Sequence, residues 1–170
     1  MRILNQILDR LHQILSADLF KTTRLNKNNS EPTSSRQPLQ RPKKFLLKAK
    51  AVSADDMDDH WFVGFADSES NTAHYLQLQR AFKDDEQDIK LGMNTYYLEI
   101  DDQILSCYGG IERFNLHRDR ASIIFSSKGK MKLQGIETAE ISFQIDDKKF
   151  AQLRDRLSKV FSGTTAYNGA

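Results

Sequence analysis

A single cysteine, Cys107, stands among the 170 residues, so the chain has no pair from which to build an internal disulfide. That suits a reducing compartment, where thiols stay free. No apolar run approaches the ~20 residues that a membrane-spanning helix needs. The N-terminus also lacks the continuous apolar stretch of a secretory signal. Ile3, Leu4, Ile7, Leu8, Leu11, Ile14 and Leu15 are interrupted by Asn5, Gln6, Asp9, Arg10, His12 and Gln13. A cytoplasmic protein with no membrane span is therefore expected. Phosphate-cradling glycine motifs are missing as well: there is no G-x-G-x-x-G and no G-x-x-x-x-G-K-[ST]. His12, His60, His74 and His117 form no metal-ligand spacing, with neither an H-E-x-x-H pair nor a C-x-x-C partner. No cofactor and no metal are expected. Cys107 has His117 ten residues away, but no nucleophile signature surrounds it, and a buried apolar role is the plainer reading.

The charge is unevenly spread. Residues 1–44 hold nine Lys/Arg against three Asp/Glu, a balance of +6, and residues 45–170 hold sixteen against twenty, a balance of −4. An acidic globular part disfavours direct nucleic-acid binding, whose phosphates require Lys and Arg, and favours basic partners through steering.

Residues 1–18 read as an amphipathic helix, with Leu4, Leu8, Leu11 and Leu15 forming one stripe. Packing on its own domain, self-association through residues 2–16 and contact with a membrane surface are the three uses open to such a stripe. Residues 19–44 read as a disordered linker: polar, and holding all three prolines of the chain. From Phe45 the pattern becomes that of strands. Phe45–Val52, Trp61–Ala66, Leu76–Phe82, Thr95–Ile100, Phe114–Leu116, Ile123–Phe125 and Ile141–Ile145 are the seven candidates, and Gly109–Gly110 reads as a hairpin turn. The period then switches: Phe150, Leu153, Leu157, Val160 and Phe161 recur at helical spacing, with Asp146 or Asp147 as N-cap and Gly163 as the stop. The expected fold is α+β, a largely antiparallel sheet of about seven short strands with a C-terminal helix packed on it, followed by a flexible tail at 162–170.

Three acidic clusters fall between these strands: Asp55-Asp56-Met57-Asp58-Asp59, Asp84-Asp85-Glu86-Gln87-Asp88 and Asp101-Asp102. Ordinary solvated loops, a calcium site and a docking surface for a basic partner are the competing readings. The spacing of a calcium loop, D-x-[DN]-x-[DN]-G, is not met.

One stretch is more specific. Tyr75-Leu76-Gln77-Leu78-Gln79-Arg80, Asp85-Glu86-Gln87-Asp88-Ile89, Leu91-Gly92-Met93-Asn94-Thr95-Tyr96-Tyr97-Leu98-Glu99 and Ser106-Cys107-Tyr108-Gly109-Gly110-Ile111 follow one another. In this order they resemble immunity protein family 10 of bacterial polymorphic toxin systems. Trp61–Asp67 resembles the family's first hairpin, and Asp119-Arg120 and Ile141–Phe161 are also similar, so that the likeness spans 45–161. It implies a non-enzymatic antidote that binds a cognate toxin and blocks it. With the acidic charge, it points to Asp84, Asp85, Glu86, Asp88, Asp101 and Asp102 as partner-binding residues. A small ligand-binding protein or an unrecognised enzyme of the cytosol is the alternative.

Overall fold

The computed structural model describes residues 42–169, so the helix expected at 1–18 and most of the linker expected at 19–44 lie outside the described residues. The described part is α+β and consists of two five-stranded sheets rather than one sheet of seven strands.

The first sheet has the order β1-β9-β8-β7-β10, formed by β1 (Lys43–Lys48), β9 (Ile136–Ser142), β8 (Arg120–Phe125), β7 (Ile111–Leu116) and β10 (Tyr167–Gly169). The second is an antiparallel meander of β2 (Ala51–Asp56), β3 (His60–Ala66), β4 (Tyr75–Ala81), β5 (Tyr97–Ile100) and β6 (Asp102–Tyr108). Two pairs depart from the antiparallel rule: β1 runs parallel to β9, and β10 parallel to β7.

The stretch read as one strand, Phe45–Val52, is two strands in different sheets. The chain changes sheet at Ala49 and Lys50, whose amides donate to Ser142 of the first sheet (2.8 Å) and Ala66 of the second (2.9 Å). No Gly or Pro marks this point, and the core-facing positions shift phase across it, from Leu47 and Ala49 to Val52 and Ala54, a change that the apolar Ala51 blurs in the sequence. Gly109–Gly110 is likewise a crossing and not a hairpin turn. It joins β6 of the second sheet to β7 of the first, with both residues at positive φ (70° and 95°). The strand β6 escapes the sequence pattern because it is bulged. Glu99 faces Ser106, but Ile100 faces Asp102, so Gln103–Leu105 are extra residues on one side of the ladder.

Between the sheets lies one apolar cluster. Phe65, Leu76, Leu78, Leu98 and Ile100 enter it from the second sheet and Phe114, Ile123, Phe125 and Ile141 from the first. Two short helices, α1 (Glu86–Leu91) and α2 (Ser127–Lys132), precede the one long helix among the described residues, α3 (Asp147–Val160). Asp146 caps α3, its carboxylate accepting from the Lys149 amide at 2.8 Å. Leu153, Leu157 and Val160 enter the same cluster. Gln152 donates to the Ala54 carbonyl (2.8 Å) and Arg156 to Asp56 (2.8 Å), tying α3 to β2. Gly163 follows the helix at φ 75°, the left-handed stop that its position suggested. Residues 162–170, expected as a flexible tail, instead carry β10. Tyr167 stacks on Phe161 (5.6 Å, 11°) and meets Phe114 edge-on (6.0 Å), burial that a three-residue strand needs to stay paired.

Candidate functional site

Two of the acidic clusters meet in space although about 25 residues separate them in sequence. Asp55 and Asp56 end β2, and Asp58 and Asp59 form the turn into β3. The Phe82 amide donates to the Asp59 carbonyl (2.9 Å), which brings the segment after β4 against that turn. Residues 84–88 follow at once, so both clusters occupy one end of the second sheet. An aromatic pair marks this end: Trp61 and Phe82 lie with ring centroids 5.0 Å apart at 62°, and Phe82 remains 39% exposed.

The cluster Asp84–Asp88, which its place between strands marks as a loop, instead leads into and forms the first half of α1. Asp85 is its N-cap, the carboxylate accepting from the Asp88 amide at 2.7 Å, and Gly92 at φ 67° closes it. A helix of six residues falls below the length at which periodicity can be read, and the caps are its only sequence signals. Ile89 and Leu91 stand out from it, 56% and 59% exposed. Asp84 lies 3.5 Å from Arg80, whose guanidinium is fixed by the Ser162 carbonyl (2.7 Å). Glu86 and Lys90 form a solvated pair at 3.8 Å, which contributes little. Asp85 and Asp84 are thus engaged in local structure, whereas Glu86 and Asp88 have charge to offer.

Asp101 and Asp102 lie at the opposite end of β4 and β5, away from the other clusters. Asp101 adopts φ 58°, and its carboxylate accepts from the Tyr75 amide (2.8 Å) and from His74 Nδ1 (3.0 Å). That hydrogen bond, with the charge of Asp101, raises the His74 pKa above its ordinary value. Asp102 accepts from the Ile104 amide (3.0 Å), shaping the bulge of β6. Both residues hold their own turn.

The outer face of the second sheet carries a polar row that sequence reasoning missed. Ser53, Gly64, Gln77, Glu99 and Ser106 are successive cross-strand partners, so their side chains share that face. The side chains facing the core come from the alternate positions, among them Val63, Leu78 and Leu98. Phe62 reaches over Gly64, where an added Cβ would meet its ring at 2.8 Å. Glu99 is 4% exposed and accepts from the phenols of Tyr75 (2.5 Å) and Tyr97 (2.7 Å). Burial, together with the neighbouring carboxylate, pushes the Tyr97 hydroxyl far above the usual tyrosine range. Gln77, 1% exposed, has neither amide atom hydrogen-bonded among the described residues. It alternates with the core residues Leu76 and Leu78, and nothing in the sequence signals its burial.

The chain's one thiol is not poised for chemistry. Cys107 Sγ donates to the Gly109 carbonyl (3.3 Å), and burial raises its pKa, the reverse of what a nucleophile needs. His117 follows the far end of β7, the length of a strand away. No group of three His, Cys, Asp or Glu side chains among the described residues is arranged to hold a metal.

Compared with known families, residues 48–151 match the family model described as Immunity protein 10. The chain belongs to this family. No curated protein and no solved structure matches the chain. Within this Immunity protein 10 chain the matched region runs from the last residue of β1 to the second turn of α3. It contains the second sheet entire, both converging acidic clusters and the polar row. β10 and its aromatic anchor Tyr167 fall outside it. Among the described residues no helix is long and apolar enough to cross a membrane.

Proposed function

We propose that this immunity protein neutralises a cognate bacterial toxin in the cytoplasm by stoichiometric binding rather than by catalysis. Its acidic end, Asp58, Asp59, Asp84, Asp85, Glu86 and Asp88 around Trp61 and Phe82, is the proposed contact. Family membership supports the toxin as partner. The choice of surface rests on one observation, the convergence of two acidic turns around a partly exposed aromatic pair. Interfaces of high affinity combine an aromatic anchor with a polar rim, and exposed charges of one sign speed encounter with the opposite sign. A toxin with a basic surface, as a nucleic-acid-degrading enzyme requires, is the complementary partner. Asp101 and Asp102 stay with their turn at the other end and are not part of the proposed contact.

The test combines protection in cells with kinetics. Reversing Asp58, Asp59, Glu86 and Asp88 to Lys should leave the circular dichroism spectrum and thermal midpoint near those of the parent. It should also lower the toxin association rate by about tenfold or more at low salt and flatten its salt dependence. A folded variant that protects as well, with unchanged kinetics, would remove this end of the sheet from the interface.

A further inference from the structure

Glu99 poses an electrostatic problem that the described residues leave open. A carboxylate withdrawn to 4% exposure needs compensation, because burial removes the water that stabilises its charge. Its partners among the described residues are two neutral phenols, Tyr75 and Tyr97. Next to it in register stands Gln77, buried to 1% exposure, whose amide NH2 and carbonyl oxygen have no hydrogen-bond partner among the described residues. Buried polar groups left without hydrogen bonds carry the full cost of their lost hydration. Two adjacent side chains on one face therefore have unused capacity of a definite kind: an anion with free lone pairs, and an amide oxygen beside it.

The surroundings narrow the chemistry further. Tyr75 and Tyr97 flank Glu99 as two half-buried rings, on strands β4 and β5. Tyr108 stands opposite Tyr97 with ring centroids 5.4 Å apart. An ammonium would satisfy the carboxylate as a point charge and leave the amide oxygen unserved. A guanidinium is planar, carries five donors in a fixed fork and stacks on aromatic faces, so it serves both acceptors and the rings together.

We propose that the Gln77–Glu99 row between Tyr75 and Tyr97 is the receptor for one arginine side chain of the toxin, a commitment that rests on the reading of this chain as a toxin-binding protein. The arginine enters from the outer face and displaces a phenol from the carboxylate. It donates to Glu99 and to Oε1 of Gln77, while Nε2 of Gln77 donates to a carbonyl of the incoming chain. This row carries the specificity of the complex, and the acidic end carries its rate of formation.

The experiment needs no toxin in its first arm. The isotope-labelled full-length chain is titrated with N-acetyl-arginine amide, and in parallel with N-acetyl-lysine amide. The side-chain amide signals of Gln77 and the ring signals of Tyr75 and Tyr97 are followed. Saturable shifts at these signals, with the arginine probe at least about threefold stronger than the lysine probe, are expected. Glu99→Gln should abolish the shifts. Gln77→Met, which keeps the volume and removes the amide, should weaken them and covers the case in which Glu99→Gln does not fold. No saturable shift in the parent, or an unaltered one in both variants, would overturn the receptor. In the second arm, toxin dissociation is measured for the same variants. An increase of about tenfold or more in the dissociation rate is expected, as for the loss of a buried charged contact. Unchanged dissociation with the probe site intact would overturn the assignment to the toxin's arginine. A parent chain that binds the probe but fails to protect against any toxin would sink the functional reading and leave the receptor standing.

Discussion

At the scale of single residues, Gly129 is placed where no side chain fits. A Cβ built there would lie 2.1 Å from the carbonyl oxygen of Gly110. That oxygen is already the acceptor for the amide and hydroxyl of Ser126, the N-cap of α2. Gly129→Ala must therefore push α2 off the sheet crossing, at a cost of roughly 1–3 kcal/mol. Gly135 offers a control. It lies at φ 86° with open space around it, so Gly135→Ala meets only backbone strain, about 1–2 kcal/mol. Chemical denaturation of both should show Gly129→Ala as the more damaging, with the α2 amides exchanging faster only in that variant. Equal losses without local exchange at α2 would show that the contact at Gly110 is unimportant. His74 supplies a pH prediction. Its pKa is raised in the folded state by Asp101, so its contribution is fully present below the unfolded value of 6.5 and fades as pH rises through the folded value. The effect is small because the ring is exposed to screening solvent. An NMR titration should give a His74 midpoint above 6.5 in the parent, brought back toward 6.5 by Asp101→Asn. Asn tolerates the positive φ and can still accept from the Tyr75 amide. A midpoint indifferent to Asp101→Asn would remove the pairing.

Elements differ in how plainly their residues announce them, and the reasons are physical. β3 and β4 are antiparallel neighbours with one face in the core, so Phe65, Leu76 and Leu78 alternate with outward residues and both strands can be read directly. α3 is long enough to show a helical stripe, and Asp146 and Gly163 mark its ends as their chemistry requires. Elements that depend on distant contacts left no such trace. β10 persists through the stacking of Tyr167 on Phe161, a contact that no local pattern announces. β6 is hidden by its bulge, α1 by its brevity, and the split of β1 from β2 by the lack of any Gly or Pro between Lys48 and Ala51. The same limit applies to the candidate site. The acidic clusters could be read as residues, but their convergence follows from the hydrogen bond between Phe82 and Asp59, and the burial of Gln77 and Glu99 follows from how the outer face packs. For core strands the expectation is quantitative. Leu98→Ala removes a fully buried side chain from β5 and should cost roughly 2–5 kcal/mol through lost burial and a cavity. An unfolding midpoint unchanged by that substitution would contradict the register of the second sheet.

On the scale of the whole molecule, the charge asymmetry and the position of β1 bear on what the first 41 residues contribute. The first described strand opens at Lys43 and is paired with β9 along its length, from Lys43 with Ile136 to Lys48 with Ser142. Among the described residues, the buried hydrophobic side chains run from Leu47 to Ala166, and all but Ala51, Phe62 and Ala66 belong to one cluster filled from both sheets and α3. A core of that continuity supports cooperative unfolding without help from a preceding segment. Removing residues 1–41 also removes seven of the nine Lys/Arg that precede Phe45 and all three acids there, a loss of +4. The remaining chain is then net acidic, which strengthens its attraction to a basic toxin at long range. A chain beginning at Pro42 is accordingly expected to keep a single cooperative thermal transition, protect cells co-expressing the toxin, and associate with the toxin at least as fast as the full chain at low salt. Loss of the cooperative transition would place the Leu4–Leu15 stripe in the core. A retained transition with lost protection would instead assign the leader a share of the toxin contact, beyond the acidic end and the Gln77–Glu99 row.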